Sequence, residues 1–201
     1  MKNGKLKIAI TGGIGSGKSA FSKFIQEENY PVINVDDVSK EILVTDIDVK
    51  LKVEKEFGKE SFINGKLNKK FLAEKIFSNP HNVVKINSIV HPKVIEKVNI
   101  LIYEKLKISD IVFAEAALIY EADMDKYFDY VVLITAEDKL RLKRKVNFDN
   151  FTEEQFVKRN ENQIPDLEKK KQADFVFENN GSLDDLKIKA ELLLKILKGL
   201  K

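Results

Sequence analysis

The run Gly12-Gly13-Ile14-Gly15-Ser16-Gly17-Lys18-Ser19 fits the pattern G-x-x-x-x-G-K-[ST], whose glycines let successive backbone N–H groups converge on one anionic centre. A helix opening directly behind such a loop adds its own unpaired amides and its dipole to the same centre. The expected ligand is the phosphate tail of a nucleoside triphosphate, held by Gly13, Gly15, Ser16, Gly17, Lys18, Ser19 and Ala20. Lys18 is expected to reach the β- and γ-phosphates, and the Ser19 hydroxyl to ligand Mg²⁺. The loop leaves open whether water or another acceptor receives the γ-phosphoryl group.

Two carboxylates stand where a parallel sheet would present them. Asp36 follows the apolar stretch 30–35, and the C-terminal edge of an open parallel sheet borders the ligand crevice. There it would orient an acceptor hydroxyl and take its proton. The competing role is an N-cap for a helix beginning near Val38, a job for which Asp37 also qualifies. Glu115 closes the stretch 111–114 in the same manner, and reads either as an acid acting on Mg²⁺ through water or as a surface turn carboxylate. Of the 35 basic residues just three are arginines, Arg141, Arg144 and Arg159, all in one short stretch. Planar bidentate donors gathered in a chain that otherwise uses lysine suggest phosphate binding, against the alternative of a solvated helix. Arg144, the central one, would close over the transferring phosphoryl group and offset its developing charge. His91, followed by Pro92, would contact an acceptor, or else mark a helix start or a satisfied core group.

These residues need elements to place them. Residues 6–10 read as a buried strand running into the glycine loop, and residues 20–26 continue with helical spacing. Residues 30–35 predict a second strand. Helical patterns dominate from about 38 to 106, with breaks at Phe57-Gly58, Asn64-Gly65 and Asn79-Pro80, and the His91-Pro92 pair is expected between two helices. Residues 111–114 and 130–135 predict two more strands. Residues 137–171 are charged and helical in pattern with an interruption at Pro165, which predicts a mobile lid outside the core. A last strand is expected over 175–177, a turn at Asn179-Asn180-Gly181, and an amphipathic helix over 183–197 with Ser182 as its N-cap. Short apolar strands alternating with helices predict an α/β fold with a parallel sheet covered on both faces.

Composition narrows the function classes. At 201 residues the chain is long enough to bury a substantial core, and 43% apolar with 33% charged residues excludes collagenous, low-complexity and wholly disordered readings. Cysteine is absent, which removes disulfides, thiolate nucleophiles and Cys-ligated metals and suits a reducing compartment. Two histidines argue against a His-built metal site. A net charge of +3 gives no case for nucleic acid. No stretch approaches the roughly 18–20 apolar residues of a membrane span, and Lys2, Lys5 and Lys7 lead into an apolar segment too brief for a signal peptide. The expectation is a cytoplasmic protein with a small-molecule substrate, without nucleic-acid or membrane partners, its oligomeric state left open.

From about Ile8 through Leu197 the chain resembles the dephospho-coenzyme A (dephospho-CoA) kinase family. The resemblance rests on Thr11 to Ser19, on Val32-Ile33-Asn34-Val35-Asp36, on Phe57-Gly58 followed by Asn64-Gly65-Lys66-Leu67-Asn68, and on Ile76-Phe77 and Val90-His91-Pro92. It continues through Glu115-Ala116-Ala117-Leu118-Ile119-Tyr120-Glu121, Arg159 with Gln163, and Ala173-Asp174 leading to Asn179-Asn180-Gly181. The resemblance implies a three-layer P-loop NTPase fold with a helical substrate-binding insertion and a helical lid. The nucleotide-binding core would span 1–37, 108–136 and 172–201, the acceptor region 38–107 and the lid 137–171. It implies phosphorylation of the ribose 3′-hydroxyl of dephospho-CoA by ATP with Mg²⁺, giving coenzyme A and ADP, the last step of coenzyme A synthesis. Lys18, Asp36 and Arg144 would then be catalytic, Thr11, Asp36 and His91 would meet the acceptor, and Ser19 with Glu115 would serve the metal. Three features depart from the family pattern: Asn34 replaces the first acid of an Asp-x-Asp, Ala117-Leu118-Ile119 replaces a Pro-Leu-Leu run, and Phe148 stands where a second lid arginine is usual. The loop chemistry equally suits another P-loop kinase acting on a nucleoside, nucleotide or small metabolite, or an ATP-dependent switch. A GTPase switch is disfavoured, because Asn68-Lys69-Lys70-Phe71 lacks the Asp of Asn-Lys-x-Asp.

Overall fold

Five strands line up in parallel because their sequences are nearly continuous apolar runs, the signature of strands covered on both faces. They are β1 (Leu6–Thr11), β2 (Val32–Asn34), β5 (Ile111–Glu115), β6 (Tyr130–Thr135) and β7 (Phe175–Glu178), in the order β2-β5-β1-β6-β7. Every residue of β5 is buried, which requires cover on both sides of the sheet. The computed structural model describes residues 4–149 and 151–200; Lys2, and positions 1–3, 150 and 201 of the expected core and lid spans, lie outside the described residues.

The register brings the chemistry to one edge. Ile10 pairs with Glu115, Asn34 pairs with Glu115 from the other side, and Thr11 pairs with Leu133. The glycine loop therefore leaves β1 at the same C-terminal edge where Glu115 ends β5, the edge at which open parallel sheets bind ligands. Behind the loop, α1 (Lys18–Glu27) packs against α9 (Leu183–Gly199). Phe21 and Ile25 of α1 join Ile8, Ile10 and Phe113 of the sheet and Leu186, Leu193 and Leu197 of α9 in one buried cluster. The anticipated Ser182 cap is present in full: its hydroxyl accepts from the Asp185 N–H while the Asp185 carboxylate accepts from the Ser182 N–H, a capping box.

Contacts divide the chain into two units, residues 1–34 with 101–201, and residues 35–100. In the second unit lie α2 (Val35–Thr45), α3 (Ile47–Phe57), a two-residue hairpin of β3 (Phe62–Ile63) and β4 (Lys66–Leu67), α4 (Lys69–Phe77) and the greater part of α5 (Pro80–Lys105). Asn64 and Gly65, at φ 50° and 74°, are the hairpin turn rather than a break between helices. A further boundary falls at Asp46, whose carboxylate accepts from the Val49 N–H and caps α3.

Two local expectations are corrected here. The second strand stops at Asn34, and helix α2 begins at Val35; Val35, Val38 and Ile42 share one buried face at helical spacing, and Asp36 and Asp37 in the first turn favour the positive end of the dipole. His91-Pro92 does not separate two helices but sits inside the 26-residue α5. A proline in a helix interior costs about 3 kcal/mol, yet Ile86, Val90, Val94 and Val98 are all buried at four-residue spacing on both sides of it, and each such side chain contributes about 1.5–3 kcal/mol.

The charged stretch after β6 folds as α6 (Asp138–Asp149), α7 (Glu153–Glu161) and α8 (Asp166–Gln172). It is tied to the first unit more deeply than its composition suggests, with Arg141, Phe156 and Lys169 buried. Among the described residues no helix is long and apolar enough to cross a membrane. The fold is thus an α/β parallel sheet with a helical insertion and helices in the lid position.

Candidate active site

The glycine loop is held open at its centre by what surrounds it. At Gly17 φ is +98°, and a Cβ there would lie 2.2 Å from Nδ2 of Asn179. At Gly13 an added Cβ would lie 2.2 Å from Nη2 of Arg141. A side chain at either position would displace a neighbour, and at Gly17 the positive φ favours glycine as well. Gly17 also occupies the N-cap of α1 without a side-chain cap, and the first turn of α1 carries no acidic residue. The amides at this terminus are therefore offered to an external anion.

Two side chains shape the loop from outside it. Arg141, only 3% exposed, donates from Nε to the Ile14 carbonyl at 2.8 Å, from Nη2 to Asn160 Oδ1 at 2.6 Å, and from Nη1 to Asp138 at 3.0 Å and Asp166 at 3.4 Å. Gln163 Oε1 accepts from the Ile14 N–H at 2.9 Å. Both backbone groups of Ile14 are thus fixed by residues of the α6–α8 stretch. Arg141 spends its donors on protein partners, and Arg159 stacks on Phe151, its guanidinium carbon 4.7 Å from the ring centroid. Of the three clustered arginines, Arg144 is the one that lines the cavity beside the loop.

Arg144 lines a cavity of about 600 Å³ together with Gly15, Gly17, Lys18, Ser19 and Ala20. Its Nη2 donates to the Asn179 carbonyl at 2.9 Å, while its Nη1 is buried without a hydrogen-bond partner among the described residues. Burial holds its pKa below the usual guanidinium range. A partly desolvated cation lining a cavity beside a helix N-terminus favours an anionic occupant. Asn179, which the sequence marked only as a turn, joins these parts. Its N–H donates to Thr135 O at 2.7 Å, its Nδ2 to Ser16 O at 2.8 Å, and its carbonyl receives Arg144. The neighbouring Asn180-Gly181 pair signals the turn, but no sequence signal reveals a buried amide bridging β7 to the loop.

On the sheet edge the Ser19 hydroxyl donates to Glu115 Oε1 at 2.8 Å, and Glu115 is buried. This pair of hard oxygen donors suits Mg²⁺, which keeps waters and phosphate oxygens as its other ligands. Among the described residues no group of three or more His, Cys, Asp or Glu side chains is placed to hold a metal by itself. Ser16 is buried like the strand before it, and contributes backbone. Thr11 is fully buried, its hydroxyl donating to Ala117 O at 3.4 Å. That same carbonyl accepts from Lys169 Nζ at 3.2 Å, and Lys169 is paired with Glu121 at 2.8 Å.

Lys18, Ser19, Glu115 and Arg144 are therefore gathered around one loop. Asp36 and His91 belong to the second unit. Asp36 is exposed in the first turn of α2, not at a strand end and not at an N-cap position; its neighbour Asp37 binds Lys40 at 2.7 Å. His91 is half-buried on α5, and burial holds its imidazole below the ordinary value.

Known proteins share this architecture along the whole chain. The dephospho-CoA kinase family model matches residues 6–185. A dephospho-CoA kinase of Bacteroides fragilis is 36% identical over 176 residues, covering 88% of this chain and 85% of that protein. The crystal structure of TT1252 from Thermus thermophilus superposes with a TM-score of 0.79 at 30% identity, covering 96% of this chain and 98% of that one. A dephospho-CoA kinase from Campylobacter jejuni gives a TM-score of 0.73 at 25% identity, covering 97% and 98%. With a family model spanning most of its length and relatives alike from end to end, this chain belongs to the dephospho-CoA kinase family.

Proposed function

We propose that the protein transfers the γ-phosphoryl group of ATP to the 3′-hydroxyl of the ribose of dephospho-CoA, giving coenzyme A and ADP. The reading rests above all on the uncapped, glycine-curled N-terminus of α1 facing a cavity shared with Lys18, Ser19 and the desolvated Arg144. Phosphoryl transfer needs positioning and charge stabilisation more than covalent help, and those are what this constellation supplies.

In this reading the amides of Gly13, Gly15, Ser16, Gly17 and Ala20 hold the phosphates, and Lys18 neutralises the β,γ end. Ser19 and Glu115 would hold Mg²⁺, which would supply positive charge to offset the phosphates. Arg144 lends its guanidinium charge to the phosphoryl group, where charge grows in the transition state. Asp36 aligns the acceptor hydroxyl and takes its proton, His91 contacts the acceptor, and Thr11 shapes the floor beside it. Residues 38–107 form the acceptor region and 137–171 the lid, with work in the cytoplasm, where a chain without cysteine meets no redox penalty.

The test is ADP release from ATP and Mg²⁺ in the presence of dephospho-CoA, set against a panel of nucleosides, nucleoside monophosphates and small hydroxylated metabolites. Dephospho-CoA should stimulate release more than any other acceptor. Preference for a panel member would overturn the acceptor, and slow hydrolysis indifferent to every acceptor would make the protein a switch.

A further inference from the structure

The cavity at the phosphate loop has an apolar end that phosphate chemistry leaves unused. Helix α6 carries Asp138, Lys139, Arg141, Lys143, Arg144 and Lys145, yet in its last turn places Phe148 with 81% of its surface exposed. Phe148 lines the same cavity as Gly17, Ser19 and Arg144, as does Leu183 at the start of α9, itself 64% exposed. Arg144 and Phe148 are four residues apart and so share one face of α6; the hydrogen bond from Arg144 to Asn179 fixes which way that face turns. A nucleoside triphosphate with its phosphates on the loop must put its base somewhere along this cavity, and a base offers a π-face to an aromatic ring.

We propose that Phe148 is the platform on which the nucleobase stacks, making it a positioning residue for the donor nucleotide. The inference rests on the loop holding the donor, as in the reading above, and is independent of which acceptor is used. Stacking on an aromatic ring tolerates every base, so Phe148 adds affinity for the nucleoside part with little choice among bases.

The chain contains no tryptophan, so Phe148→Trp installs a single indole reporter at an exposed position. ATP and ADP should quench its emission, while tripolyphosphate, which carries the phosphates without a base, should leave it nearly unchanged. Equal quenching by tripolyphosphate, or none by ATP under saturating conditions, overturns the proposal. In parallel, Phe148→Ala should weaken ATP binding roughly five- to hundredfold and leave tripolyphosphate binding as in the wild type. Equal loss for both ligands, or loss for neither, also overturns it. Dephospho-CoA turnover separates the two readings: base-dependent quenching without turnover refutes the acceptor alone, and failure of the wild type to bind ATP refutes the loop and with it this inference.

Discussion

Replacing Arg144 by methionine tests the charge that lines the cavity beside the loop. The guanidinium makes one described hydrogen bond, to Asn179 O, and buries an unpartnered Nη1. In the nucleotide-free protein the substitution removes a charge-assisted hydrogen bond of about 1.5–3 kcal/mol and relieves a buried unpaired donor costing about 1–3 kcal/mol. Methionine keeps much of the apolar stem. The balance runs from a loss of about 2 to a gain of about 1.5 kcal/mol. In a chain of this size about 1 kcal/mol moves Tm by roughly 2–4 °C, so Arg144→Met should melt no more than about 8 °C below wild type. Catalysis should fall whichever sign that balance takes. A charged donor reaching the phosphoryl group is worth about 1.5–3 kcal/mol, so kcat/KM should fall about 10- to 150-fold. Differential scanning calorimetry of the nucleotide-free protein and ADP release with dephospho-CoA read the two effects separately. A Tm lowered by more than about 8 °C would show a structural guanidinium, and an unchanged kcat/KM would remove Arg144 from the phosphate site. Arg144→Lys, which keeps the charge and loses the planar fork, should still slow transfer.

Lys18→Ala should abolish measurable transfer while the fold persists by circular dichroism, since no backbone group replaces its charge at the β,γ-phosphates; wild-type turnover would refute the loop assignment. Asp36→Asn should lower kcat with little change in ATP affinity by calorimetric titration, and because the side chain is exposed the Tm should hold; a drop in Tm with intact kcat would make Asp36 a helix-terminus residue only. Burial holds His91 below the ordinary imidazole value of 6.5, so as pH falls below about 6.5 the unfolded chain takes up its proton first and stability declines until the folded state protonates too. Urea midpoints between pH 8 and 5 should show that decline in the wild type and a shallower one in His91→Gln; equal slopes would refute it.

The glycine spacing was legible because its chemistry is local: a loop that must expose amides permits few residue types, and the strand before it is an unbroken apolar run. Ser182 was legible for the same reason, since a cap and its helix are neighbours in the chain. The arginine cluster was read as one device and is three. Proximity in sequence placed Arg141 and Arg144 on the same helix, but three residues apart their side chains meet different surroundings, one the backbone of Ile14 and the other the cavity. The charged stretch 137–171 likewise reads as a mobile lid outside the core, whereas Lys169 is buried against Glu121 and the Ala117 carbonyl, partners about fifty positions away in the chain.

What the amino-acid order determined by itself was governed by nearest neighbours: the strands of the parallel sheet, the loop, the Ser182 cap, and the types of groups able to handle a triphosphate. What only the tertiary structure decided was which of those groups converge. Strand register set Glu115 beside Ser19, Asn179 bridged the loop to Arg144, and a buried helix face carried α5 straight through Pro92. Each depends on partners far apart in sequence, where packing and the need to satisfy buried polar groups outweigh the local preferences a sequence displays.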